Sequence, residues 1–99
     1  MHVISDKKLK SFWKTSKHQD SEEPLKAWYA EAKAARWRTP ADVKEKYGSA
    51  SILKDSRAVF NIAGNKYRLV VKIQYNIGVV YLRFIDTHAE YDKIDAETI

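Results

Sequence analysis

The sequence predicts an α+β domain with helices first, then a small antiparallel sheet, then a short closing helix. Three observations predict it. Up to Gly48 the apolar residues recur with helical spacing. From Ala58 they recur at every second position. Gly64-Asn65 separates two of these alternating runs, a two-residue hairpin signal. A chain of 99 residues suits one domain spanning 1–99, with a hydrophobic fraction of 44% that supports a small core.

The elements follow in order. "HVIS" reads as a short strand. Ser5 then stands as N-cap of a helix whose Leu9, Phe12 and Trp13 fall at i, i+3 and i+4. The chain turns around "KHQDSEE", where Ser21 or Asp20 caps a second helix. That helix tolerates Pro24 in its first turn and carries the stripe Leu25, Trp28, Tyr29 and Ala32. "RTPADVKEKYG" reads as a third, short helix with Thr39 as N-cap, Pro40 as first helical residue, Asp42 in the first turn and Gly48 as the stop. "AVFNIAGNKYRLVVKIQY" gives two strands, and "VVYLRFI" a further one after a turn at Asn76 to Gly78. Thr87, with Glu90 three residues on, matches a capping box for a last helix with Tyr91 and Ile94 on its apolar side.

The hairpin fixes a register. If Ala63 pairs with Lys66, then Ile62 lies opposite Tyr67, Asn61 opposite Arg68 and Phe60 opposite Leu69. Tyr67, Leu69, Val71 and Ile73 then face a core with Val80, Leu82 and Phe84, and the helices cover that face. The other face receives Asn61, Lys66, Arg68, Lys72, Gln74, Tyr81 and Arg83. It contains no Asp or Glu. An ordinary solvated outer face is the plain alternative, but such a face usually mixes signs. A cationic one with an aromatic residue suits a phosphate backbone and its stacked bases.

Bulk charge agrees. Lys and Arg number 18 against 13 Asp and Glu, a net charge of +5, which favours a polyanionic partner or an acidic protein. With no cysteine there is no disulfide, thiol nucleophile or Cys-based metal site. His2 and His18 lack partners at metal-ligand spacing, so no metal or other cofactor is expected. "ARWR" with Lys33 is a second basic, aromatic patch, read equally well as a helix end over a core tryptophan. The apolar run Met1 to Ile4 is too short for a signal peptide, and no stretch approaches the roughly 20 apolar residues of a membrane span. The expected location is the cytoplasm.

The stretch "FIDTHAEYDKI" crowds proton-moving groups at the end of a strand. His88 opens the last helix beside the cationic face, where free amide N–H groups and arginine neighbours favour an anion. A bound phosphate would favour its protonated form, which suits a general acid acting on RNA. A structural or simply exposed His88 is the alternative. Thr87 and Glu90 fit caps better than catalysts, and Tyr91 fits the core, a stacking platform or a proton donor.

The stretch "ASILKDSRAVFNIAGNKYRLVVKIQYNIGVVYLRFIDTHAEYDKID" resembles the C-terminal half of the HigB-type toxins of the RelE/ParE superfamily. "PLKAWYAEAKAARWRTPADVKEKY" resembles the same family, so the likeness covers nearly the whole chain, with "NKYRLVVKI" and "FIDTHAEYDKI" its most specific parts. The resemblance implies a RelE-like microbial ribonuclease fold and an mRNA interferase that cuts messages in translating ribosomes. It implies a helix-turn-helix antitoxin of the HigA type as partner, through which the pair reaches operator DNA. Arg68 matches the superfamily's strand arginine on the scissile phosphate, His88 a catalytic histidine, and Tyr91 the terminal aromatic residue. Lys66, Lys72 and Arg83 match less closely, and the lysine pair of the RelE toxins has no clear counterpart, which leaves the general base open among Lys66, Tyr91 and a group not named. Two other functions remain open at this point: a non-catalytic nucleic-acid-binding module using the same face, and a protein-directed inhibitor of the ParE kind.

Overall fold

The computed structural model describes residues 1–99. Its elements are β1 (His2–Ile4), α1 (Asp6–Lys14), a 3-10 helix (Ser16–Ser21), α2 (Glu22–Ala34), α3 (Pro40–Lys46), β2 (Ser51–Ile52), β3 (Arg57–Ile62), β4 (Tyr67–Gln74), β5 (Val79–Thr87) and α4 (His88–Tyr91). The five strands lie in the order β1-β5-β4-β3-β2. The α+β class holds. The sheet is mixed rather than purely antiparallel, because β1 runs parallel to β5 with His2 opposite Val79.

Local chemistry explains most boundaries. The Thr39 hydroxyl accepts the Asp42 N–H while the Asp42 carboxylate accepts the Thr39 N–H, a closed capping box with Pro40 at the first helical position. The expected caps of the first two helices do not form. Ser5 stands before α1 without a side-chain bond. Ser21 turns its hydroxyl back to the His18 carbonyl at 2.6 Å, and Asp20 reaches across to the sheet. The β3–β4 hairpin takes the expected register, with Asn61 opposite Arg68 and Ile62 opposite Tyr67. Gly64 supplies φ +68 at the first central position of its turn, which the Lys66 N–H closes onto the Ala63 carbonyl.

The helical layer packs on one face of the sheet. Leu9, Leu25, Trp28, Ala32, Trp37 and Val43 meet Phe60, Tyr67, Leu69, Val71, Ile73, Val80 and Leu82 in one cluster. Phe60 lies at its centre, in ring contact with Trp28, Trp37 and Tyr47. Burying side chains of this size stabilises by about 1.5–3 kcal/mol each.

The other face differs from the expected cationic bed. A β-bulge lies where Val70 pairs with Phe84 and Val71 pairs with Leu82, leaving Arg83 as the extra residue. The bulge reverses the sense of β5 beyond it. Phe84, expected in the helix-covered core, therefore faces the other way. It packs with Val59, Val70 and Ala96, flanked by Tyr91, Ile94 and Ile99. The C-terminal segment thus covers the middle of this face. The register sorts what remains into rows: Asn61, Arg68 and Asp86 at one end, the apolar Val59, Val70 and Phe84 between, and Arg57, Lys72 and Tyr81 beyond.

Candidate active site

Thr87 ends β5 and begins α4. Its hydroxyl accepts the Glu90 N–H at 3.2 Å, half of the expected capping box. The other half is absent: the Thr87 N–H donates to Asp86 Oδ1 at 2.8 Å, and Glu90 pairs with Lys93. His88 is consequently the first residue of a single helical turn. Its own N–H donates to the Lys66 carbonyl at 3.1 Å, which ties α4 to the hairpin foot.

Three of the candidate residues converge here. The Arg68 guanidinium carbon lies 5.1 Å from the centre of the Tyr91 ring, a cation–π arrangement. The Tyr91 ring meets the His88 ring edge-on, with centroids 6.3 Å apart. His88 Nε2 lies 3.4 Å from Asp92 Oδ1. The charged group in contact with the imidazole is thus a carboxylate. A helix of one turn also adds little dipole. Asn61 and Asp86 flank Arg68 across the strands, so this end of the face holds an acid that the uninterrupted alternation had hidden.

Lys66 is near in sequence but turned away. Its ammonium pairs with Asp20 on the helical side, over the Tyr67 ring at 5.5 Å from the centroid. The hydrogen bond to Asp20 holds Lys66 above the usual lysine range, against a smaller opposing effect of burial. Lys72, Tyr81 and Gln74 lie further off. Lys72 is four residues along β4 from Arg68, about 13 Å at strand rise, with the apolar row between. Arg83 projects from the bulge at the rim of a groove between α1 and β5, which Lys8, Phe12 and Phe84 also line. No three His, Asp or Glu side chains converge as a metal site.

Two residues of this region were not read as site residues from sequence. Asp86 needs the bulge to come beside Arg68. Asp20 read as a helix cap, and nothing local announces partners on a distant hairpin.

The profile of the HigB toxin family, described as the RelE-like toxic component of a toxin–antitoxin system, matches residues 21–94. This chain belongs to the HigB toxin family. As a HigB-family toxin it has an antitoxin partner by the definition of the system. Full-length relatives agree. The chain is 30% identical over 98 residues to the mRNA interferase toxin HigB of Escherichia coli K12, covering 97% of this chain and 92% of that protein. The mRNA interferase HigB proteins of Escherichia coli O157:H7 and Shigella flexneri match at the same 30% identity and the same coverage. No helix of this HigB-family chain is long and apolar enough to cross a membrane.

Proposed function

We propose that this single-domain protein is an endoribonuclease that cuts mRNA on translating ribosomes without a metal ion. The observation that carries this is the joint placement of Arg68, Tyr91 and His88 at one open corner, in a family whose relatives are named mRNA interferases. Cleavage begins when a ribose 2′-OH attacks the adjacent phosphorus. The P–O5′ bond breaks, leaving a 2′,3′-cyclic phosphate and a 5′-OH. Arg68 presents its fork to the phosphate oxygens as negative charge builds. His88, as imidazolium, gives its proton to the departing 5′-oxygen. Tyr91 holds the guanidinium on its ring face and limits where a base can stack.

The 2′-OH proton needs an acceptor. Lys66, held as an ammonium by Asp20, is poorly suited. Asp86 is better suited, since it stands directly opposite Arg68 and its Oδ1 alone is taken by the Thr87 N–H. Asn61 borders this corner, while Arg83, Lys72, Tyr81 and Gln74 offer more distant contacts to the RNA backbone. The ribosome presents the message in a bent form, so weak action on free RNA is expected.

The partner is a helix-turn-helix antitoxin of the HigA type, which carries the toxin to operator DNA; the pair works in the cytoplasm. Lys7, Lys8, Lys14 and Lys17 are exposed and have no acidic partner within the chain, so the α1 side suits an acidic surface. Hydrogen exchange on the co-purified complex tests this: new protection confined to Lys66–Lys72 and Thr87–Asp92 would mean direct plugging of the site instead. The activity is tested by mapping 5′ ends of cellular mRNA after induced expression. New in-frame cuts are expected with wild type and absent with Arg68→Ala and His88→Ala, both still ribosome-bound. Toxicity surviving both changes would sink the enzymatic reading, and DNA synthesis stopping before protein synthesis would favour a ParE-like target.

A further inference from the structure

The hairpin foot that receives the His88 N–H is itself gripped by a carboxylate from the helical layer. Asp20 lies on the 3-10 helix between α1 and α2. One of its oxygens accepts a hydrogen bond from the Lys66 ammonium, the other from the Tyr67 hydroxyl, so a single side chain grips two consecutive residues. Both bonds hold Asp20 below the usual carboxylate range, that from Lys66 more strongly. An exposed ion pair alone would contribute little, but Tyr67 is fully buried and meets Phe12 and His18 edge-on. Asp20 is therefore anchored to a side chain that cannot swing.

The gripped pair leads directly to the site. Lys66 supplies the carbonyl that receives the His88 N–H at 3.1 Å. Tyr67 pairs with Thr87, the cap immediately before His88. The main chain of His88 thus hangs from the two residues that Asp20 fixes to the helical layer.

We propose that Asp20 is a positioning residue for His88: by clamping Lys66 and Tyr67 it sets where the imidazole stands relative to the Arg68–Tyr91 pair. The inference rests on the reading of His88 as proton donor. On this reading Asp20 acts through His88 on the chemical step and not on RNA binding.

A double-mutant cycle tests it, with cleavage of a defined message on purified ribosomes as the readout. Asp20→Ala is expected to lower kcat roughly 10- to 100-fold with KM within about twofold, the cost of a misplaced catalytic group. In a His88→Ala background the same change is expected to cost nothing further, because its effect has lost its target. Asp20→Asn keeps an acceptor for Tyr67 and is expected to lose less. If Asp20→Ala does not fold, Asp20→Asn runs through the same cycle. An equal loss in both backgrounds, or a raised KM at unchanged kcat, overturns the inference, since Asp20 would then serve the fold or the RNA. If His88→Ala itself cleaves like wild type, the proton-donor reading has failed, and the inference falls with it for that separate reason.

Discussion

The guanidinium of Arg68 lies against the ring face of Tyr91, 5.1 Å from its centre, and its Nε is buried without a hydrogen-bond partner. The guanidinium thus stands over an aromatic face, in the row of the sheet that also carries Asn61 and Asp86. A lysine has neither the plane nor the fork. Arg68→Lys should lose cleavage nearly as fully as Arg68→Ala, on the order of 10²–10³ in kcat. Tyr91→Phe, which keeps the ring face, should stay within a few-fold of wild type, whereas Tyr91→Ala should not. Single-turnover cleavage on ribosomes measures all four. A Tyr91→Phe variant as dead as Tyr91→Ala would instead give the hydroxyl the leading role.

Thr87 is a single-point test of the corner's local stability. Its hydroxyl accepts the only side-chain cap bond of α4. Thr87→Ala should lower unfolding free energy by about 1 kcal/mol, and Thr87→Ser by much less. Denaturant titration gives the number. An unchanged midpoint for Thr87→Ala would show the cap to be idle.

The far row should behave differently from the near one. Lys72 is separated from Arg68 by Val70 and by the C-terminal segment over it. Lys72→Ala should raise KM and flatten the salt dependence of binding while leaving kcat alone, as for a contact made equally in ground and transition states. A fall in kcat without a change in KM would place Lys72 nearer the chemistry than the sheet does.

Alkaline pH should weaken the fold through three partly or fully buried tyrosines. Burial first, then the bond to Glu31, pushes the Tyr47 phenol well up. Burial and then Asp20 raise Tyr67, and burial and then Asp42 raise Tyr75. A raised folded pKa means that the folded state holds the proton more tightly. The contribution is complete below the ordinary tyrosine value of about 10 and is lost as pH rises through the folded values. Ionisation of these three phenols should therefore coincide with loss of helical circular dichroism. Unchanged circular dichroism while Tyr47, Tyr67 and Tyr75 ionise would contradict this.

What the sequence disclosed divides by distance along the chain. The hairpin register was legible because Gly64-Asn65 and two alternating runs specify the same pairing. Thr39 was legible because its partner Asp42 is three residues away. The reversal in β5 was not, since Arg83, Phe84 and Ile85 fit either sense locally. The choice is made by Ile94, Ala96 and Ile99, which supply an apolar partner to the outer face. The cap of α2 failed for a related reason: Ser21 and Asp20 had the right chemistry for a cap, but a carbonyl and a distant hairpin claimed them first. At the site, Arg68, His88 and Tyr91 share a compact corner because strand end, cap and helix follow one another directly. The wider cationic face was misjudged because a single bulge and a returning tail redistribute it.

The parallel pairing of β1 with β5 also orders events in time. β1 leaves the ribosome well before β5 and has to wait for it, since His2 finds its place only beside Val79. Contacts this far apart in sequence form slowly. The proposed catalytic corner closes later still, once Thr87 and His88 have emerged and joined the hairpin foot. A half-made chain thus has neither a closed sheet nor a proton donor, and on the proposed mechanism it is harmless to the ribosome that is translating it.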